Sequence, residues 1–179
     1  MTDITLQANA TLSAALVPTR SLSFYTMTAS LPILVIAAVL LFTPLKGRWL
    51  TGLSVVGALV GILGLGRLLY DVTLDVAGFP DYQLPVWSVF YLIIYVVSAF
   101  CFIIFAVHTS SPGVYFGGID SSNQSAFLDA LYMSLIGYVG ISDASFVAKE
   151  RFSRFLGVGQ AIVSMFINVV IITKFVTTF

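Results

Sequence analysis

The chain has 179 residues, of which 59% are hydrophobic and 9% charged, with 8 basic and 8 acidic side chains and a mean hydropathy of +1.03. This is the composition of an integral membrane protein, and the balanced charge offers no basic surface for a nucleic acid. A single cysteine, Cys101, excludes an intrachain disulfide; a single histidine, His108, excludes paired axial ligands to a haem; no Cys/His spacing suits a metal.

Residues 1–20 read as a tail, because they lack the charged start, apolar core and cleavage site of a secretory signal. Residues 21–45 carry no charge and supply a first spanning helix, with Pro32 expected near its start. Lys46, Gly47, Arg48 and Trp49 make a basic turn with an interfacial aromatic, which suits two antiparallel helices. The second helix, residues 50–70, holds Gly57 and Gly61 at GxxxG spacing, a stripe for close helix approach in preference to a glycine-lined cavity. Arg67 near its end is expected to snorkel to the interface. One arginine does not make a voltage sensor, which needs a repeated row. Residues 21–70 thus form two accessory membrane helices.

Residues 71–85 are punctuated by Pro and Gly and carry Asp71, Asp75 and Asp81. A solvated connector is preferred to a designed cation site. Residues 86–107 form the cleanest span, with Trp87, Phe90, Tyr91 and Tyr95 as packing and interface anchors, and a Pro- and Gly-bearing loop covers 109–120.

The chain is organised around residues 121–143, SSNQSAFLDALYMSLIGYVGISD. The apolar run 126–136 is shorter than the roughly 20 residues a span requires, so it suits a half-spanning helix held in protein. Ser121, Ser122, Asn123 and Ser125 can cap its start, and Gly137 permits the left-handed residue that ends a helix. Gly137, Tyr138, Val139, Gly140, Ile141, Ser142 and Asp143 are then expected as irregular backbone at membrane depth, which survives where protein buries it or water lines it. Beyond Arg151 and Arg154 a last helix covers residues 154–174. On it Gln160, Ser164 and Asn168 recur at i, i+4, i+8 and form one polar stripe, for which pore lining is preferred to helix–helix hydrogen bonding.

The order of Asp129, Ala130, Leu131, Tyr132, Met133, Ser134 and Leu135, a glycine-bearing turn, Asp143, and Arg151 opening an apolar helix resembles the pore domain of the potassium-channel superfamily. The resemblance covers roughly half the chain. Together with the four spans read above, it gives an all-α membrane protein with four transmembrane helices and one re-entrant pore helix. The pore module would be residues 86–179, with an outer helix over 86–107, pore helix and filter-like loop over 121–143, and inner helix over 154–174. It further implies a homotetramer in the plasma membrane, surrounded by lipid, with a regulatory subunit as a possible further partner. Monovalent cations, potassium or sodium, would pass passively along carbonyl rings from Tyr138 to Ile141, with Asp143 concentrating them at the mouth. Neither catalysis nor a cofactor or metal beyond the permeant ion is implied.

The motif departs from the family at the filter. Aligning Val139, Gly140 and Asp143 on the family's V-G and D shortens the loop, puts Tyr138 in a threonine position and replaces Y-G by Ile141 and Ser142. A second register makes Gly137, Tyr138, Val139 and Gly140 the conducting turn. Both stay open, as do two rival functions. One is a non-conducting structural or regulatory subunit. The other, less favoured, is an intramembrane aspartyl protease built on Asp71 and Asp143, whose motif lacks its second glycine. The family's usual orientation places Lys46, Arg48, Lys149, Arg151 and Arg154 outside and Arg20, Arg67 and Lys174 inside, against the positive-inside rule.

Overall fold

A computed structural model describes residues 22–43, 47–78, 86–119, 123–141 and 143–176. The tail 1–20 lies outside the described residues. Long aliphatic runs with few charges leave the backbone to satisfy its own hydrogen bonds, and the result is helical almost throughout. The elements are α1 (Leu22–Phe42), α2 (Arg48–Gly78), α3 (Val86–Ser110), β1 (Phe116–Gly117), α4 (Asn123–Val139), β2 (Val147–Ala148) and α5 (Arg151–Val176). Among the described residues three helices are long and apolar enough to cross a membrane, over Arg48–Leu74, Val86–Ser110 and Arg151–Thr173. Helix α1 has 21 residues, with Pro32 in its interior and not near its start.

Helix α2 is longer than its sequence suggests. It runs on to Gly78, so Asp71 and Asp75 belong to the helix and not to a connector; Asp81 and the rest of 79–85 lie outside the described residues. The reason is local. Arg67 Nε donates to both carboxylate oxygens of Asp71, at 3.1 and 2.9 Å, an i,i+4 ion pair that suits helical backbone. Arg48 and Arg67 are about 28 Å apart along the axis, close to the thickness of a hydrocarbon core.

Helix α3 is the central post, packed against α1, α2, α4 and α5. The glycines of α2 permit this packing. A methyl group on Gly57 would run into the Phe102 ring, and one on Gly64 into the Tyr95 hydroxyl. At Gly61 three helices meet: a methyl there would lie 3.1 Å from Ala99 Cα on α3 and 3.3 Å from Ile33 Cδ1 on α1. The glycine stripe is thus filled by neighbouring helices. Around it Leu92, Tyr95, Val96, Phe102 and Phe105 are fully enclosed. Phe127 of α4 completes the aromatic centre, its ring 5.5 Å from Phe102 and edge-on at 5.3 Å to Phe105.

Several contacts gather the start of α2, the end of α3 and the start of α5 at one end of the bundle. Ser54 and Thr109 share a 3.0 Å hydroxyl hydrogen bond. Strands β1 and β2 pair antiparallel, Phe116 opposite Ala148 and Gly117 opposite Val147. Lys149 donates from its amide to the Tyr115 carbonyl at 3.0 Å and from Nζ to the Gly113 carbonyl at 2.9 Å. This is called the hairpin end below. Arg67 and Asp71 lie at the opposite end.

Candidate functional site

Helix α4 starts at the hairpin end. The candidate caps Ser121 and Ser122 lie outside the described residues, while Asn123 and Ser125 are already helical. Its buried face carries Ala126, Ala130, Ser134 and Tyr138, one turn apart, and the small side chains of the first three let neighbouring helices come close. The opposite face leaves Leu128, Tyr132, Leu135 and Val139 exposed. From Ala126 beside Phe105 and His108, the helix descends antiparallel to α3. Buried Ser134 donates to the Val97 carbonyl at 2.7 Å, level with the middle of α3.

The end of α4 corrects the expected boundary. Gly137, Tyr138 and Val139 do not form irregular backbone: the helix continues through Val139. Gly140 is the residue that turns left-handed, at φ 78°, and the Ile141 amide then donates to the Ile136 carbonyl at 3.0 Å. That six-to-one bond is the closure typical of a Schellman cap. The carbonyls of Tyr138 and Val139 therefore belong to the last turn of a helix and that of Gly140 to its cap, so Gly137, Tyr138 and Val139 of the second register are helical, while the first register runs on through Ser142, outside the described residues. Gly137 serves a different need. A methyl group there would come within 2.9 Å of Gln160 Oε1, so the glycine makes room for an amide of α5.

After Gly140 the chain returns to the end it left. Ser142 lies outside the described residues. Asp143 accepts from the Ser145 amide at 2.9 Å and the Ser145 hydroxyl at 2.6 Å through one oxygen, and from the Tyr132 hydroxyl at 3.2 Å through the other. The Ser145 bonds, with a smaller contribution from Tyr132, hold the Asp143 carboxyl below its ordinary value of 3.8. Asp143 in turn raises the Tyr132 phenol. The Tyr132 and Phe146 rings stand 5.6 Å apart, and β2 then joins β1.

The polar stripe of α5 faces inward. Gln160 Nε2 donates to the Ser134 carbonyl at 2.6 Å and lies 3.2 Å from its hydroxyl. Gln160 and Ser164 are both 3% exposed, and Ser164 Oγ has no hydrogen-bond partner among the described residues. Asn168 is exposed but accepts from the Tyr138 hydroxyl at 2.9 Å. Within the chain Gln160 and Asn168 thus bond α5 to α4, the role ranked second in the sequence, because a carbonyl and a phenol stand within reach of amides that would be costly in lipid. Most of the α5 surface stays uncovered, including Phe155, Ile162 and Met165. The Ser134 and Tyr132 links were not singled out from sequence, although both residues lie in the motif that carries the resemblance.

Asp71, paired with Arg67, lies toward the end of α2 away from the hairpin, whereas Asp143 is bonded to Ser145 and Tyr132 on the return from α4. The hydrogen bonds and ion pairs of the described residues do not join the two carboxylates. No family model, curated protein or solved structure matches the chain.

Proposed function

We propose that the chain is the subunit of a membrane pore that passes monovalent cations, with α3, α4 and α5 as its pore module. The observation that carries this reading is the path of α4: it enters from the hairpin end, reaches the level of Val97, and the chain comes back to pair β2 with β1. In a bilayer that path is a re-entrant helix, with α1 as a fourth span beside α2, α3 and α5. One such module does not enclose a pore. The uncovered faces of α4 and α5 support a homotetramer, as the resemblance implies, in the cell membrane.

The chemistry favours cations. The carbonyl end of α4 lies about 7 Å past the level of Val97, within the membrane, where its partial negative charge stabilises a cation. On the return path Asp143 is held ionised and raises the local cation concentration. Selectivity between potassium and sodium should be weak, because the helical turn ending at Val139 leaves no stack of carbonyl rings to replace a hydration shell. The reading requires neither a catalytic group nor a cofactor. The separate bonding of Asp71 and Asp143 argues against the protease.

One observation favours a second reading. The same helical turn shortens the possible filter to the few residues after Gly140, which suits a non-conducting subunit of a larger assembly. Flux into liposomes carrying the purified protein separates the two. The pore reading expects potassium and sodium fluxes within about tenfold of each other, chloride excluded, and lower cation flux in Asp143→Asn. Folded oligomers that pass no cation would establish the second reading instead.

A further inference from the structure

A groove of about 320 Å³ opens on the outer surface of the hairpin end, between α2, α3 and the start of α5. Its lower walls are apolar, formed by Val55, Val107 and Phe152, while Ser110 and Ser111 stand at its upper rim and Tyr115 closes one side. Tyr115 packs edge-on against Phe152 at 5.8 Å. Val55 lies about 10 Å below Arg48 along α2, so the groove runs from headgroup level into the upper acyl region.

Two cations adjoin its lining residues Tyr115 and Phe152. The Lys149 amide is bonded to the Tyr115 carbonyl and its Nζ to the Gly113 carbonyl, which fixes this side chain beside the groove. Arg151 directly precedes Phe152 and is exposed. Glu150 lies between them in the chain and offsets part of their charge. The apolar trough suits a hydrocarbon chain, and the hydroxyls of Ser110 and Ser111 with the two neighbouring cations suit a phosphate.

We propose that this groove binds an anionic phospholipid, one acyl chain lying along Val55, Val107 and Phe152 and the phosphate held by Lys149 and Arg151. Anionic lipid is enriched in the cytoplasmic leaflet, and the hairpin end also carries Arg48 and Arg154. The site therefore turns this end toward the cytoplasm, the orientation that the positive-inside rule favours and the reverse of the usual channel arrangement. The inference requires the bundle to sit in a bilayer but does not require conduction, so its failure and the failure of the pore reading are distinguishable.

The test is native mass spectrometry of the full-length protein in detergent, titrated with phosphatidylglycerol or phosphatidylcholine of identical chains. The first phosphatidylglycerol should bind about tenfold or more tightly than phosphatidylcholine. A Lys149→Gln, Arg151→Gln double variant should lose that preference, Arg151→Lys should keep it, and Val107→Trp, which fills the trough, should weaken both lipids. Circular dichroism melts of each variant separate loss of the site from loss of the fold. Equal binding of the two lipids by the unaltered protein would overturn the proposal. So would an undiminished preference in the double variant, full competition by glycerol phosphate lacking chains, or loss of the oligomer instead of lipid in Val107→Trp.

Discussion

Gln160 on α5 donates its side-chain amide to the backbone carbonyl of Ser134 on α4 at 2.6 Å, at the depth where Ser134 itself donates to the Val97 carbonyl on α3. Three helices are joined there through one serine. Gly137, one turn on, leaves the space that the Gln160 amide occupies.

Gly137→Ala should therefore destabilise the protein by about 1–3 kcal/mol through overpacking against that amide. Shortening the partner relieves the clash, so the Gly137→Ala, Gln160→Ser double variant should be more stable than the sum of its single changes predicts. Thermal melts of the four proteins in detergent give the coupling. Strictly additive effects would mean that the two positions do not meet.

The close approach of α2 to α3 predicts a contrast among glycines. Gly57→Ala meets the Phe102 ring and Gly64→Ala the Tyr95 hydroxyl, whereas a methyl on Gly52 or Gly66 meets nothing within 4 Å among the described residues. The first two changes should cost about 1–3 kcal/mol each. The latter two should be neutral or raise stability by about 0.4–1 kcal/mol, since alanine restricts the unfolded chain without meeting a neighbour. Denaturation midpoints in a common detergent compare all four.

Of the fold, the long helices were legible because each leaves an uninterrupted apolar run, and the GxxxG pair announced a close helix approach to α2 without naming α3 as the partner. The extension of α2 to Gly78 was hidden: Asp71 and Asp75 read as connector residues until Arg67 is seen to pair with Asp71 across a turn. At the candidate site, the short run 126–136 announced a half-length helix, but its end was misplaced. Two glycines, Gly137 and Gly140, each fit a helix terminus. Only the tertiary demand of Gln160 assigns the first to close packing and leaves the second as the cap. The inward turn of the polar stripe was likewise open, because a period of four residues marks a face without saying what covers it.

The Asp143 cluster predicts a pH dependence. Its carboxyl is held below 3.8 in the folded chain by bonds to Ser145 and Tyr132, which an unfolded chain lacks. The stabilisation is present in full above the ordinary carboxylate value and is lost as pH falls through the lowered folded value. Hydrogen exchange of the Ser145 amide should stay slow at pH 6 and, after correction for intrinsic rates, lose protection as the buffer is taken below about pH 4. Asp143→Asn should flatten that dependence. Unchanged protection in the acid range would show that the carboxylate does not hold this turn.

The most direct test of the account concerns the path of α4, on which the pore module rests. Cysteines are introduced singly at Val114 and Val147, exposed positions before and after α4, and at Leu74 near the opposite end of α2. Cys101 is 1% exposed and should stay silent. Sealed vesicles of one known orientation are then treated with a membrane-impermeant thiol reagent. Labelling of Val114→Cys and Val147→Cys from the same side, with Leu74→Cys reached from the other, is the expected result. Labelling of the two hairpin positions from opposite sides would mean that α4 crosses the membrane, and would contradict the pore module.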